Sequence, residues 1–174
     1  IRGKDNKVYI LERTKIDKAV IHIRGNNNII TFGKNCFVGI GCSFWMEGNN
    51  IKIEIGDNCT FTQYNHFCAQ EDNMSIVLGN DCMISNHVII RTSDSHPIYN
   101  AEGEKTNEPG SVIIGNHVWI APESKIFKGV HIGDGSIVGT CTLVTKDVGP
   151  NSLVVGMPAK VVKKNIHWTR THIF

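Results

Sequence analysis

The chain has 174 residues, enough for one domain with a continuous core, and 18 Lys and Arg against 16 Asp and Glu leave a formal net charge of only +2. That balance excludes a nucleic-acid binder driven by bulk charge. No apolar run approaches the length of a membrane span and no leader pattern is visible, so a cytoplasmic protein without a membrane span is expected.

Residues 1–19 are rich in charge and carry no simple period. The expectation is a short strand or helix covering the open N-terminal end of the repeats that begin after it. Val20-Ile21-His22-Ile23, followed by Gly25-Asn26-Asn27-Asn28, reads as a first, imperfect coil side and turn. From Phe32 a six-residue ruler takes over: Phe32-Gly33, Val38-Gly39 and Phe44, then Ile55-Gly56, Phe61 and Phe67, then Leu78-Gly79, Ile84 and Ile90. The ruler is strictest over 114–149, where hexads open on Ile114-Gly115, Ile120-Ala121, Ile126-Phe127, Ile132-Gly133, Val138-Gly139 and Val144-Thr145. There position one is always Ile or Val, and position five is always Val, Ser or Thr.

A helix repeats near 3.6 residues and a flat strand at 2, and neither gives six. A six-residue repeat marks a β-solenoid, in which each hexad is one short wall of a coil. Three walls close a triangular turn of eighteen residues. Position one fills the core, and position five points inward near the bend, where only a small residue fits. The Gly or small residue at position two is expected at the backbone turn, where a larger side chain would be crowded.

The spacing of the glycines places the irregularities. Gly33, Gly56 and Gly79 are 23 residues apart, so these coils carry a five-residue bulge at one corner, at 48–52 and 71–75. Gly115 to Gly133 is 18 with no insertion, but Gly79 to Gly115 is 36, which adds about eighteen polar residues, 93–111, punctuated by Gly and Pro. A solenoid accepts such a loop at a corner, and loops carry function. Cys36, Cys42, Cys59 and Cys82 fall at position five, and so read as small buried residues rather than disulfide or metal partners, in a reducing compartment. The hexads stop after Gly149. Pro158 is expected to end the last strand, residues 159–164 to form a short helix or strand, and 165–174 to cap the C-terminal end or pack on a partner. The organisation expected is an N-terminal cap and first coil over 1–31, the solenoid over 32–149 with its loop at 93–111, and a C-terminal segment over 150–174.

The ruler resembles that of the hexapeptide-repeat acyltransferases. The resemblance implies an all-β, left-handed parallel β-helix, a hand opposite to the usual crossover rule. Val118-Trp119-Ile120, Gly133-Asp134-Gly135, Val144-Thr145-Lys146-Asp147-Val148, Pro150-Asn151-Ser152 and Gly156-Met157-Pro158-Ala159-Lys160-Val161 keep the order of the galactoside and maltose O-acetyltransferase branch. Ser95-His96-Pro97-Ile98-Tyr99 is similar to the O-acetyltransferases of capsule and sialic-acid polymers. Across roughly residues 30–164, the resemblance implies transfer of acetyl from acetyl-CoA to a sugar hydroxyl of a surface polysaccharide or its precursor. It also implies a homotrimer with active sites between subunits, a carbohydrate acceptor and no metal.

A hydroxyl attacking a thioester needs a base that titrates near neutral pH, which imidazole does unaided. His96, at the root of the one long insertion, is the expected base. Asp94 either orients that ring or serves the fold, since it falls at position five. Asn65 matches an acceptor-binding Asn of the galactoside enzymes or is a corner residue; Tyr64 and His66 are further candidates for sugar contact. Trp119 matches the family's aromatic beside the base, or packs in the core or an interface. For the coenzyme, exposed backbone at Ala121, Gly139 and Thr140 is expected to pair with the pantetheine amides. Thr145 and Lys146 match the family's Thr-Lys near the nucleotide. Lys160 and Lys163 occupy basic positions that hold phosphates, without the bidentate fork of Arg. Pro122 stands where relatives offer a group to the tetrahedral intermediate, and Pro has no N–H.

Other functions use the same scaffold. One is N-acetylation of an amino sugar and another a non-catalytic sugar-binding solenoid. A zinc-dependent lyase of the carbonic-anhydrase type is disfavoured, because the closely spaced ligand pair of that family is missing among the eight His, His66, His87, His96 and His117 included.

Overall fold

A computed structural model describes residues 1–173. No two-residue strand can bury its own core side chain, so the hexads are buried by stacking coil on coil. The result is three walls of strands. Wall one holds β1 (Lys7–Ile10), β4 (Ile29–Phe32), β7 (Lys52–Ile55), β10 (Ser75–Leu78), β13 (Val112–Ile114) and β16 (His131–Ile132). Wall two holds β2 (Lys15–Ile16), β5 (Phe37–Val38), β8 (Thr60–Phe61), β11 (Met83–Ile84), β14 (Trp119–Ile120), β17 (Ile137–Val138), β19 (Ser152–Val155) and β20 (Lys160–Lys164). Wall three holds β3 (Val20–Arg24), β6 (Ser43–Glu47), β9 (His66–Gln70), β12 (Ile89–Arg91), β15 (Lys125–Ile126) and β18 (Leu143–Val144). All pairings are parallel except β19 with β20, and the winding is a left-handed β-helix.

The unequal glycine steps are each one rung in space. Phe32 lies beside Ile55, Ile55 beside Leu78, Leu78 beside Ile114, and Ile114 beside Ile132. The five extra residues of the lower coils do more than bulge. They lengthen the strands on either side of their corner and add inward-facing Met46, Ile51 and Ile53. That wider section is filled by the fully buried Phe32, Phe44, Phe61 and Phe67, whereas Ile and Val fill the 18-residue coils. Phe44 meets Phe32 edge-on at 5.0 Å and stacks on Phe67 at 5.1 Å. Cys36, Cys59 and Cys82 each aim a buried thiol at the carbonyl of the next rung's glycine, at 3.1–3.2 Å, and all six cysteines are free.

The corners differ from expectation in one respect. The left-handed residue of each turn sits at position four, not two: Asn35, Asn58, Asp81 and His117 between walls one and two, and Tyr64, His87, Glu123 and Cys141 between walls two and three, all have φ of 52–63°. Position two is small because the coils approach so closely. A Cβ added to Gly33 would stand 2.5 Å from the Gly56 carbonyl carbon, and one added to Gly56 2.6 Å from that of Gly79.

Both ends of the chain also depart from expectation. β1 and β2 pair in register with β4 and β5, so the first two dozen residues are a coil of the solenoid rather than a separate cap. At the other end wall two continues past the last hexad: β19 pairs with β17, and β20 folds back on β19 as an exposed, Lys-bearing edge. The tail after β20 does not cap the C-terminal end. It runs back across wall two, where the buried Trp168 stacks on His117 at 4.0 Å, its indole N–H donating to the His117 carbonyl. Arg170 then reaches Asp81, Thr60 and the carbonyls of Asn58 and Cys82.

Candidate active site

The long insertion leaves the third corner of the coil after the buried Thr92 and Ser93, and the Gly110 N–H donates to the Thr92 carbonyl at 2.9 Å to close its neck. Inside it the chain doubles back, with Thr106 N–H donating to Ile98 and Asn100 N–H to Glu104. Asn107, only 7% exposed, holds the doubled chain together. Its Oδ1 accepts the Ile98 N–H at 2.7 Å, and its Nδ2 donates to the His96 carbonyl at 2.9 Å and to the Asp94 carboxylate at 3.0 Å.

Glu71, from the bulge one rung below, pins the loop at two places. One oxygen accepts from Ser93 Oγ at 2.6 Å and the other from Lys105 Nζ at 2.7 Å. The Lys105 hydrogen bond, with that of Ser93, holds the Glu71 carboxyl below its ordinary range. Asp94 is bound by Lys128 and Asn107, and Lys128 above all depresses it in the same way.

His96 is exposed and lines a cavity of about 270 Å³ with Glu71, Ser95, Pro97 and Lys105. The residue before it is tightly fixed. Ser95, at φ 70°, donates its N–H to Ser93 Oγ at 2.9 Å; its hydroxyl donates to Gln70 Oε1 and accepts from Arg91 Nη2, both at 2.5 Å. On the other side of the loop root, Arg91, Ser93, Asp94, Phe127 and Lys128 line a second cavity of about 130 Å³. An exposed imidazole on a braced backbone can take a proton from a bound hydroxyl.

The other expected residues divide. Thr145 and Lys146 are exposed on the same third corner as His96, two coils further along. His66 lies on the outer face of wall three, two positions before Cys68, the neighbour of Arg91, with Ser43 Oγ 2.8 Å from its Nδ1. Burial, together with the Arg91 charge, pushes its pKa down.

Tyr64 is on the second corner, stacked on His87 at 5.4 Å, and not beside His96. Asn65 does not face any groove. As a position-five residue it points inward, is fully buried, accepts the Val88 N–H at 2.9 Å and donates to Cys42. Asp94 is exposed and engaged with Lys128 and Asn107, so it braces the loop rather than the imidazole; the chain has already left the coil there, and position five no longer means inward.

Trp119 stands on wall two, its indole N–H toward Ser85 Oγ at 3.4 Å and its ring 5.9 Å from Trp168. It lines a cavity of about 470 Å³ with Met83 and the tail. Ala121, Gly139 and Thr140 lie at the second corner. However, the N–H groups of Ala121 and Gly139 are spent on the carbonyls of Val138 and Val154, because position two is where rungs pair; neither is free for a pantetheine amide. Pro122 offers only a carbonyl, which accepts the Cys141 N–H. Lys160 and Lys163 are exposed on β20. Among the described residues no three His, Cys, Asp or Glu side chains come together to hold a metal ion.

Asn107, Ser95, Glu71, Arg91 and Lys128 carry the architecture of the site, and sequence reasoning singled out none of them individually. Glu71 had a usable signal: it lies in the bulge 22 residues before Ser93, one rung away.

A family model for the bacterial transferase hexapeptide (six repeats) matches residues 111–146. Among curated proteins, a polysialic acid O-acetyltransferase of Escherichia coli O1:K1 / APEC is 38% identical over 90 residues, which is 51% of this chain and 29% of that protein's length. The solved structure of the polysialic acid O-acetyltransferase OatWY matches with 31% identity and a TM-score of 0.68, covering 99% of this chain and 93% of that one. AntD, an N-acyltransferase from Bacillus cereus, matches at 22% identity and a TM-score of 0.69 over 89% of this chain and 82% of its own, a likeness of fold alone.

Proposed function

We propose, from the fact that this chain belongs to the hexapeptide-repeat transferase family, that it is an acetyl-CoA-dependent O-acetyltransferase acting on a hydroxyl of a surface polysaccharide or its precursor. The observation that carries the reading is the placing of His96: an exposed imidazole on the one long loop, whose backbone is tied by Asn107 and Ser95, on the edge that also bears Thr145 and Lys146.

In this reading the bond changes run in one order. The acceptor hydroxyl gives its proton to His96 as its oxygen attacks the thioester carbonyl. The tetrahedral intermediate collapses, the C–S bond breaks, and the imidazolium returns the proton to the departing thiolate. No acyl-enzyme is needed, because the thioester is already activated. Pro122 cannot donate to the oxyanion, so that donor must come from elsewhere.

Within one chain the residues assigned to the coenzyme are spread over separate edges: Thr140 on the second corner, Trp119 on wall two, and Thr145 and Lys146 on the third corner with His96. Separation of this kind supports a homotrimer whose sites are completed between copies. A cytoplasmic setting, where acetyl-CoA is available, accords with the reading.

The test is thiol release from acetyl-CoA with sialic acids, nucleotide sugars, capsule oligosaccharides and amino sugars as acceptors. Turnover with a hydroxyl acceptor is expected. Turnover with amino sugars alone would make the protein an N-acetyltransferase, and absence of both turnover and acetyl-CoA binding would overturn the reading.

A further inference from the structure

The cations around the root of the His96 loop pair off, with one exception. Lys105 is matched by Glu71, and Lys128 by Asp94. Arg91 has no carboxylate within ion-pairing distance among the described residues, although its side chain is half-buried. Its Nη2 donates only to neutral oxygens, Ser95 Oγ at 2.5 Å and Gln70 Oε1 at 3.4 Å, and its enclosed Nε meets no acceptor at all.

The nearby acids are otherwise engaged. Glu47 is separated from Arg91 by the Gln70 amide, which donates to it at 2.7 Å. Asp94 is held by Lys128 and Asn107. A half-desolvated guanidinium without a counter-charge is costly to keep, and its fork of donors matches a two-oxygen anion. The same guanidinium lines the cavity of about 130 Å³ on the flank of the loop and is one hydrogen bond from Ser95, which precedes His96. A carboxylate fits a space of that size.

We propose that Arg91 is the acceptor-recognition residue of this site and takes a carboxylate carried by the sugar, so that the preferred acceptor is an acidic saccharide. This inference rests on the O-acetyltransferase reading above. Binding the acid against Arg91 anchors the acceptor at the root of the His96 loop and supplies the missing counter-charge. The Gln70–Ser95 pair then links occupancy of that subsite to the backbone that holds the base.

The experiment compares thiol release with a sialic-acid oligosaccharide and with its carboxyl methyl ester, in the wild type, Arg91→Gln and Arg91→Lys. For the wild type, esterification is expected to raise the acceptor KM by roughly ten- to a hundredfold, the worth of a hydrogen-bonded charge. Arg91→Gln is expected to raise KM for the free acid by a similar factor and to abolish the discrimination. Arg91→Lys should keep part of it, and KM for acetyl-CoA should stay unchanged in both. An acetyl-CoA thermal shift preserved in each variant establishes that it is folded. Undiminished acid-over-ester preference in Arg91→Gln overturns the inference, as does an effect on the KM of acetyl-CoA instead of the acceptor. Equal turnover of acid and ester by the wild type overturns it while leaving the O-acetyltransferase reading intact, whereas no thiol release with either acceptor removes that reading itself.

Discussion

The side-chain amide of Asn107 donates to the main-chain carbonyl of His96 at 2.9 Å, so the outgoing half of the loop is held in place by the returning half. The same nitrogen reaches Asp94, and the amide oxygen takes the Ile98 N–H. Asn107→Ala removes three bonds from a nearly buried position. It is expected to lower kcat by at least roughly tenfold, because misplacing a base by a fraction of an ångström weakens proton transfer. The global Tm should fall only modestly, since the solenoid core is untouched. A kcat equal to that of the wild type would show that the loop holds His96 without this tie.

Glu71 predicts an acid-sensitive loop. Its folded pKa lies below the ordinary glutamate value, through Lys105 first and Ser93 second. A carboxylate depressed on folding contributes stability that is present above its unfolded pKa and is lost as the pH falls through its folded value. The Tm difference between wild type and Glu71→Gln should therefore be largest at neutral pH and shrink as the pH drops below about 4. A difference that is constant with pH would mean that the carboxylate charge is not what pins the loop.

Close approach of the coils gives a paired prediction. Gly56→Ala places a methyl against the Gly79 backbone, which cannot yield without separating two rungs, and should cost about 1–3 kcal/mol. Gly149→Ala meets nothing within 4 Å and should be nearly neutral. Urea denaturation of the two variants separates them; equal stability would deny that close rung spacing is why position two is small.

The tail should behave as a clasp. Trp168→Ala removes the stack on His117 and the bond to its carbonyl. Protease cleavage after Arg170 is expected to be slow in the wild type, where Asp81 and Thr60 hold the guanidinium, and rapid in the variant. An unchanged cleavage rate would mean that Arg170 alone secures the tail.

The stacking of this protein was readable because it is local and periodic. Apolar residues at position one and short side chains at position five recur on the six-residue frame, and glycine spacing alone located the bulges and the loop. What escaped was non-periodic or distant. The first coil lacks a strict ruler, since Ile10 and Val20 are left exposed at the open end and need not be spaced for burial. Arg170 meets partners 88 to 112 residues away, which no short motif announces. Asn65 sits at position five like Cys42 and Cys59, and the frame that buries their side chains buries its own.

The most direct measurement is the turnover of His96→Ala in the thiol-release assay with saturating acetyl-CoA and an acidic oligosaccharide. Loss of a general base predicts a fall of roughly 10²- to 10⁴-fold with acetyl-CoA binding retained. Turnover at the wild-type rate would contradict the assignment of the reaction to this loop.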